Sequence, residues 1–145
     1  NCGAVIPEPG KFTDSDLIFL KNAQTVIEKV RFEMEKQLIH KALDAIWSII
    51  SQANKYLDEQ APWELRKTNR IRMNTVLYVS AEVIRHLGIL TQPFMPHSAD
   101  KLLELLSQSP KERSFSNLGE SSALQPGLHL PKPQGIFPRY KDPNF

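Results

Sequence analysis

Residues 39–63 read IHKALDAIWSIISQANKYLDEQAPW, and the fold follows from their spacing. Ile39, Leu43, Ile46, Ile50, Ala53 and Leu57 recur at alternating intervals of four and three, the stripe of a helix that buries one side in a bundle. Pro62 ends that helix, and Ala61 before it is pushed out of helical geometry. Trp47 lies beside the seam and is expected in the core. Upstream, Thr13-Asp14-Ser15-Asp16 supplies capping side chains, and carboxylates where a helix N-terminus favours them. The helix that opens there carries Leu17, Leu20, Ile27, Val30 and Met34. Downstream, a short turn over Pro62–Lys67 leads into a helix from about Arg70 to Leu90, with Met73, Val76, Leu77, Ser80, Val83, Ile84 and Leu87 inward. Pro93 and Pro96 stop it, and a last helix from about Ser98 to Leu106 offers Leu102, Leu103 and Leu106. No stretch alternates as a strand would. The expectation is an all-α protein, an antiparallel helix bundle over about residues 11–106, with Leu43, Ile46, Ile50, Leu77, Ile84 and Leu103 buried.

The rest of the chain is arranged around this bundle. Residues 1–10 hold Gly3, Pro7, Pro9 and Gly10 and are expected to be irregular. Residues 107–145 hold six of the eleven prolines, yet Phe115, Leu118, Leu124, Leu128, Leu130, Ile136 and Phe137 make them too apolar for a flexible linker. This tail is expected to lie as extended segments on the helices, so that residues 1–145 form a single domain. A chain of 145 residues is long enough to bury a core without disulfides or metals. Its net charge of +2 excludes a uniformly basic coat, and 41% hydrophobic against 23% charged residues excludes wholesale disorder. The apolar runs are far shorter than a bilayer span, so no membrane partner is expected. Cys2 is the only cysteine, which rules out a disulfide framework and suits a reducing, cytoplasmic setting. The chain opens at Asn1 and not at methionine, which reads as a segment of a longer protein.

Little in the sequence promises catalysis. His40, His86, His97 and His129 form no metal-ligand spacing with one another or with Cys2, so no metal site is expected. The six glycines stand singly, without a phosphate loop, and no serine sits beside a base in a recognisable arrangement. Carboxylate pairs such as Glu33 and Glu35, or Asp58 and Glu59, read as solvated helix faces. One locality differs. Trp63 directly follows Pro62, and the nine residues Glu64–Arg72 hold Arg66, Lys67, Arg70 and Arg72 against one glutamate, a local +3. The other 136 residues sum to −1, so the whole positive excess lies beside one indole. Single-stranded nucleic acid wants that arrangement, since bases stack on the ring and phosphates pair with the cations. The residues alone leave a second reading open, with Trp63 plugging the bundle end and the cations solvated.

At this locality the chain resembles a known family. Ala53-Asn54-Lys55-Tyr56-Leu57-Asp58-Glu59-Gln60-Ala61-Pro62-Trp63 is similar to the motif of the C-terminal anticodon-binding domain of methionyl-tRNA synthetases, of the bacterial and organellar type. His40–Trp47 resembles the approach to that motif. Val76-Leu77-Tyr78, Glu82, Arg85 and Pro93-Phe94-Met95-Pro96 resemble the next helix and its exit. Gly135-Ile136-Phe137-Pro138-Arg139 resembles the closing segment. The resemblance implies a domain that reads the CAU anticodon of methionine tRNAs, acceptor and initiator, for an ATP-dependent class I ligase of translation. It implies that Trp63 stacks on an anticodon base and that Lys67 lies near the anticodon stem-loop, with Arg66 and Arg70 in the same basic run. Asn54 and Asp58 match polar positions of the family, and at i, i+4 they share one helix face. Two roles stay open for them. Either Asn54 fixes the junction by hydrogen bonds and Asp58 repels wrong partners, or both are scaffolding groups.

The departures from the family are specific. An earlier helix, with an asparagine and an arginine that read bases, is absent from these residues, Asn1 being at most its last. His86-Leu87-Gly88-Ile89 lacks the second histidine of the class I nucleotide-binding signature and falls inside a helix. Activation of methionine, with ATP and Mg²⁺, is therefore assigned to an upstream catalytic domain, and this chain holds no catalytic residues and no cofactor of its own. Two other readings are the anticodon domain of a sister class I synthetase and a non-enzymatic helical protein-interaction module. The latter would present an apolar face where this chain has an aromatic among cations.

Overall fold

The computed structural model of the chain describes residues 2–137. Asn1, Pro138, Arg139 and the last residues of the tail lie outside that range. Five α-helices follow one another: α1 (Asp14–Glu35), α2 (Ile39–Gln60), α3 (Pro62–Thr68), α4 (Arg70–Thr91) and α5 (Pro96–Leu105). Three short 3₁₀ turns, Pro110–Glu112, Phe115–Leu118 and Glu120–Ser122, break up the tail. Among the described residues there is no strand, only an isolated antiparallel bridge between Val5 and His129. The all-α bundle expected from the sequence is what forms.

The helix ends follow local chemistry. Thr13 and Asp16 cap α1 reciprocally: the Thr13 hydroxyl accepts from the Asp16 amide, and the Thr13 amide donates to the Asp16 carboxylate at 2.9 Å. α2 ends at Ala61, whose φ of 42° and ψ of 62° place it in the left-handed region. Pro62 disfavours right-handed helix at the residue before it, and the left-handed turn redirects the chain at once. The segment expected as a turn is therefore a short helix, α3. Pro62 stands at its start, where a missing N–H costs nothing, with Glu64 in its first turn and Arg66 and Lys67 in its last, matching the helix dipole.

The core differs from the expected one in phase. On α2 the buried residues are Ala42, Ala45, Ile46, Ile49 and Tyr56, while Leu43 and Ile50 are half-buried and Ile39 is exposed. A stripe drawn through bulky aliphatics overlooks alanine, and Ala42 and Ala45 are among the buried residues of α2. The buried face is turned by roughly three-quarters of the ~100° step between residues. Trp47, expected inside, is consequently 53% exposed. On α1 the face is Phe19, Ala23, Val26, Ile27 and Val30, and Leu17 and Met34 point outward. On α4, Met73, Val76, Val83 and Leu87 are buried as expected, but Leu77 is half-buried and Ile84 is 36% exposed. Of the six residues expected in the core, Ile46 and Leu103 are fully buried. Ile46→Val should cost about 0.5–1.5 kcal/mol, the usual loss for one buried methylene, read as a lower denaturant midpoint with unchanged slope.

α4 is covered on nearly every side because the tail packs on it. Leu118 and Leu124 are buried. The N-terminal segment joins them: Ile6 donates to the Leu128 carbonyl at 2.9 Å, and Gly127 donates back to Ile6 at 2.8 Å. A polar knot sits beneath. Arg85, wholly buried, grips the Glu82 carboxylate at 3.0 and 2.7 Å and donates to the Asn117 carbonyl at 2.7 Å. Glu82 also accepts the Leu124 amide at 3.0 Å, and Tyr78 donates to the Leu124 carbonyl at 2.9 Å. The His86 ring lies between the Glu82 and Leu118 carbonyls at 2.9 and 2.8 Å. The tail is thus held by hydrogen bonds to buried α4 side chains as well as by apolar contact, and three 3₁₀ turns within residues 110–122 add to the extended segments expected there.

Candidate nucleic-acid interface

α3 presents the locality singled out in the sequence. Leu65 is half-buried against the core and turns one face of this helix inward. Trp63, Arg66 and Lys67, at i, i+3 and i+4, share a face, and all three are exposed, Trp63 by 55%. That exposure is too large for a plug at the bundle end. Lys67 lies 3.7 Å from Glu64 with both side chains mostly in solvent, a contact too weak to withdraw it from a phosphate. Arg70, exposed at the start of α4, lines a neighbouring open cleft of about 540 Å³ together with Glu8 and Asn74. Asn54 and Asp58 are exposed on one face of α2. Their side chains form no hydrogen bond among the described residues, so Asn54 does not fix the junction in the way the first reading required.

The junction is fixed by residues that sequence reasoning assigned elsewhere. Arg72, counted among the cations of the basic run, turns into the bundle. Its guanidinium makes two hydrogen bonds to the Asp16 carboxylate, Nη2 to Oδ1 at 2.8 Å, and donates from Nε to Gln60 Oε1 at 3.2 Å and from Nη2 to the same oxygen. Tyr56 donates its hydroxyl to Asp16 at 2.7 Å, and its ring packs on Phe19 with centroids 4.9 Å apart. Asp16 is 0% exposed. Burial works to raise its pKa, but the hydrogen bonds from Arg72, Tyr56 and Thr13 outweigh it and hold the carboxylate at about 2. Burial and the Asp16 carboxylate together push the Tyr56 phenol upward. Nothing local in the sequence announces a pair 56 positions apart, and Asp16 had a sufficient role as a helix cap.

This pair links stability to acid in a defined direction. A carboxylate whose pKa falls on folding stabilises the native state fully above its unfolded value of about 3.8 and loses that contribution as pH drops through about 2. Thermal unfolding followed between pH 5 and pH 2 should show that loss, and Asp16→Asn should remove this part of the acid dependence.

The exposed cations of the run are therefore Arg66 and Lys67, on the face of α3 that carries the indole, and Arg70 at the start of α4, while Arg72 is paired with Asp16. The His86-Leu87-Gly88-Ile89 stretch is packed as part of α4: a Cβ added at Gly88 would lie 2.8 Å from the Leu103 side chain, and both His86 ring nitrogens face carbonyls.

Comparison with known proteins gives this surface a family. A profile described as the anticodon binding domain of methionyl tRNA ligase matches residues 6–144. The chain is 46% identical over 140 residues to the methionine–tRNA ligase of Brucella melitensis, covering 97% of this chain and 27% of that ligase. It is 48% identical over 143 residues to that of Rhizobium meliloti, covering 99% and 28%. Among solved structures, the free methionyl-tRNA synthetase of Mycobacterium tuberculosis superposes with a TM-score of 0.90 at 45% identity, covering 97% of this chain and 29% of that one. The same enzyme bound to methionyl-adenylate gives 0.89 over 93% and 27%. The chain thus spans little more than a quarter of the relatives it matches. With a match across nearly its whole length and 46–48% identity to those ligases, the chain belongs to the family of methionyl-tRNA ligase anticodon-binding domains.

Proposed function

We propose that residues 1–145 form one domain that binds the anticodon loop of methionine tRNAs, elongator and initiator alike, and reads the sequence CAU. Trp63 supplies a stacking face for an anticodon base, Lys67 and Arg66 meet phosphates of the loop, and Arg70 extends the positive surface. Asn54 offers exposed amide donors, and Asp58 disfavours misplaced phosphates by charge. The observation that carries this reading is the exposure of the Trp63 indole on one helix face with Arg66 and Lys67. The whole protein is, in this reading, a cytoplasmic class I methionine–tRNA ligase that activates methionine with ATP and Mg²⁺ in a catalytic domain outside these residues. Relatives carry nearly three-quarters of their length beyond this domain, so its other partner in this reading is the catalytic part of the same ligase chain.

The test is binding of an anticodon stem-loop RNA to the intact protein across a salt series. A CAU loop should bind more tightly than a loop with one altered anticodon base. Affinity should fall steeply with salt, because phosphate contacts release counterions. Lys67→Ala should weaken binding modestly and flatten the logarithmic salt slope by about 1. Equal affinity for both loops, or a flat salt dependence, would overturn the reading in favour of a protein-interaction module.

A further inference from the structure

The surface that faces RNA in this reading is carried by a segment with little hold of its own. α3 buries none of its side chains fully, and Leu65 is its half-buried apolar anchor. What closes the segment is Arg72. Gln60 is the last residue of α2 and Arg72 lies in the first turn of α4, so the hydrogen bonds from Nε and Nη2 of Arg72 to Gln60 Oε1 join the two ends of the loop that displays Trp63, Arg66, Lys67 and Arg70. The same guanidinium is anchored on Asp16, whose carboxylate is itself held by the Tyr56 hydroxyl and the Thr13 amide. One planar group thus ties the N-terminus of α1, the C-terminus of α2 and the N-terminus of α4 around α3.

We propose that Arg72 is a positioning residue, a clasp that holds α3 in its RNA-ready orientation, and that it is not a phosphate ligand although it belongs to the same basic run. The inference rests on the anticodon-binding reading. Of the five N–H donors of an arginine, four are engaged by Gln60 and Asp16. Its charge is compensated by a carboxylate that no solvent reaches. A phosphate would find a single N–H left on a group whose charge is already compensated. A clasp acts differently. It fixes the stacking face before RNA arrives, so that binding does not have to order the segment. Only a fork does this, because lysine keeps the charge but reaches one acceptor geometry and not two.

The experiment compares Arg72→Lys, Arg72→Gln, Arg70→Ala and Trp63→Ala in the intact protein. It reads amide hydrogen exchange across residues 62–68, stem-loop affinity over a salt series, and methionine activation without tRNA. Arg72→Lys should speed exchange in α3 at least about ten-fold and weaken stem-loop binding about ten-fold, with the salt slope and methionine activation unchanged. Arg70→Ala should flatten the slope by about 1 and leave α3 exchange alone. Wild-type binding in Arg72→Lys beside a weakened Trp63→Ala, unaltered α3 exchange, or a slope that changes in Arg72→Gln as it does in Arg70→Ala would each overturn the clasp. Undiminished binding in Arg72→Lys and Trp63→Ala alike would overturn the anticodon reading itself, and the clasp's role with it. If the Arg72 variants do not fold, Gln60→Leu opens the α2 arm and leaves the Asp16–Arg72 pair intact. Faster α3 exchange with weaker binding then supports the clasp, and exchange and binding like wild type overturn it.

Discussion

Replacing Arg85 with alanine is expected to destabilise the domain by about 3–5 kcal/mol, the usual cost of removing one partner of a buried ion pair. The side chain is wholly enclosed, and it is the cation that offsets the enclosed Glu82 carboxylate at 3.0 and 2.7 Å. Its loss leaves that carboxylate with the Leu124 amide as a remaining donor, strips the Asn117 carbonyl of its partner and opens a cavity. At about 3–4 °C per kcal/mol for a chain of this size, the melting temperature should fall by roughly 10–20 °C. The double substitution Glu82→Leu with Arg85→Met should cost less than Arg85→Ala alone, because it leaves no buried charge behind. It should not reach neutrality, since the Leu124 amide and Asn117 carbonyl still lose their partners. Calorimetry of the three proteins decides the matter. A double variant less stable than Arg85→Ala would mean that the pair contributes through the tail's backbone contacts and not through compensation of charge. In either variant, residues 110–130 should become the first site of proteolysis, because the knot is what ties them to α4.

What the sequence discloses about this molecule divides according to the range of the forces involved. Helix starts and stops are local: the Thr13–Asp16 capping box and Pro62 and Pro96 mark them within a residue or two, and the structure keeps them. The basic run beside Trp63 is local as well and is displayed where its composition suggested. Burial is not local. A stripe of large aliphatics points to one side of a helix, but which side meets a neighbour depends on how closely the backbones approach. On α2 the buried side includes the small side chains of Ala42 and Ala45, and Trp47 is turned out to solvent. Glu82 and Arg85 sit where a one-sided α4 would face water, and the tail that covers them comes from residues 32 to 42 positions away. Arg72 looks in sequence like three other cations. Its distinction is Asp16, brought beside it by folding alone.

The second large effect concerns Trp63. Stacking on an aromatic side chain is worth about 1–3 kcal/mol by alanine substitution, and about 1.4 kcal/mol is one decade in rate or affinity. In the intact protein, Trp63→Ala should therefore slow charging of methionine tRNA by between about five-fold and two decades while leaving methionine activation without tRNA nearly unchanged. Trp63→Phe should recover part of the loss, since it keeps a π face of smaller area. The thermal midpoint is the other half of the measurement. With the indole 55% exposed, its removal takes little apolar surface out of the core, so the folded domain should melt within a few degrees of the parent protein. A structural plug would behave in the opposite way: a large fall in melting temperature, with charging lost only in proportion to unfolding. Lys67→Ala provides the internal contrast, because a charge contact is lost in a salt-dependent manner and a stacking face is not. Trp63→Ala should thus lower charging by the same factor at low and at moderate salt, whereas the deficit of Lys67→Ala should shrink as salt rises. Undiminished charging by a folded Trp63→Ala protein at either salt would remove the stacking role, and the basic face of α3 would then need a different partner.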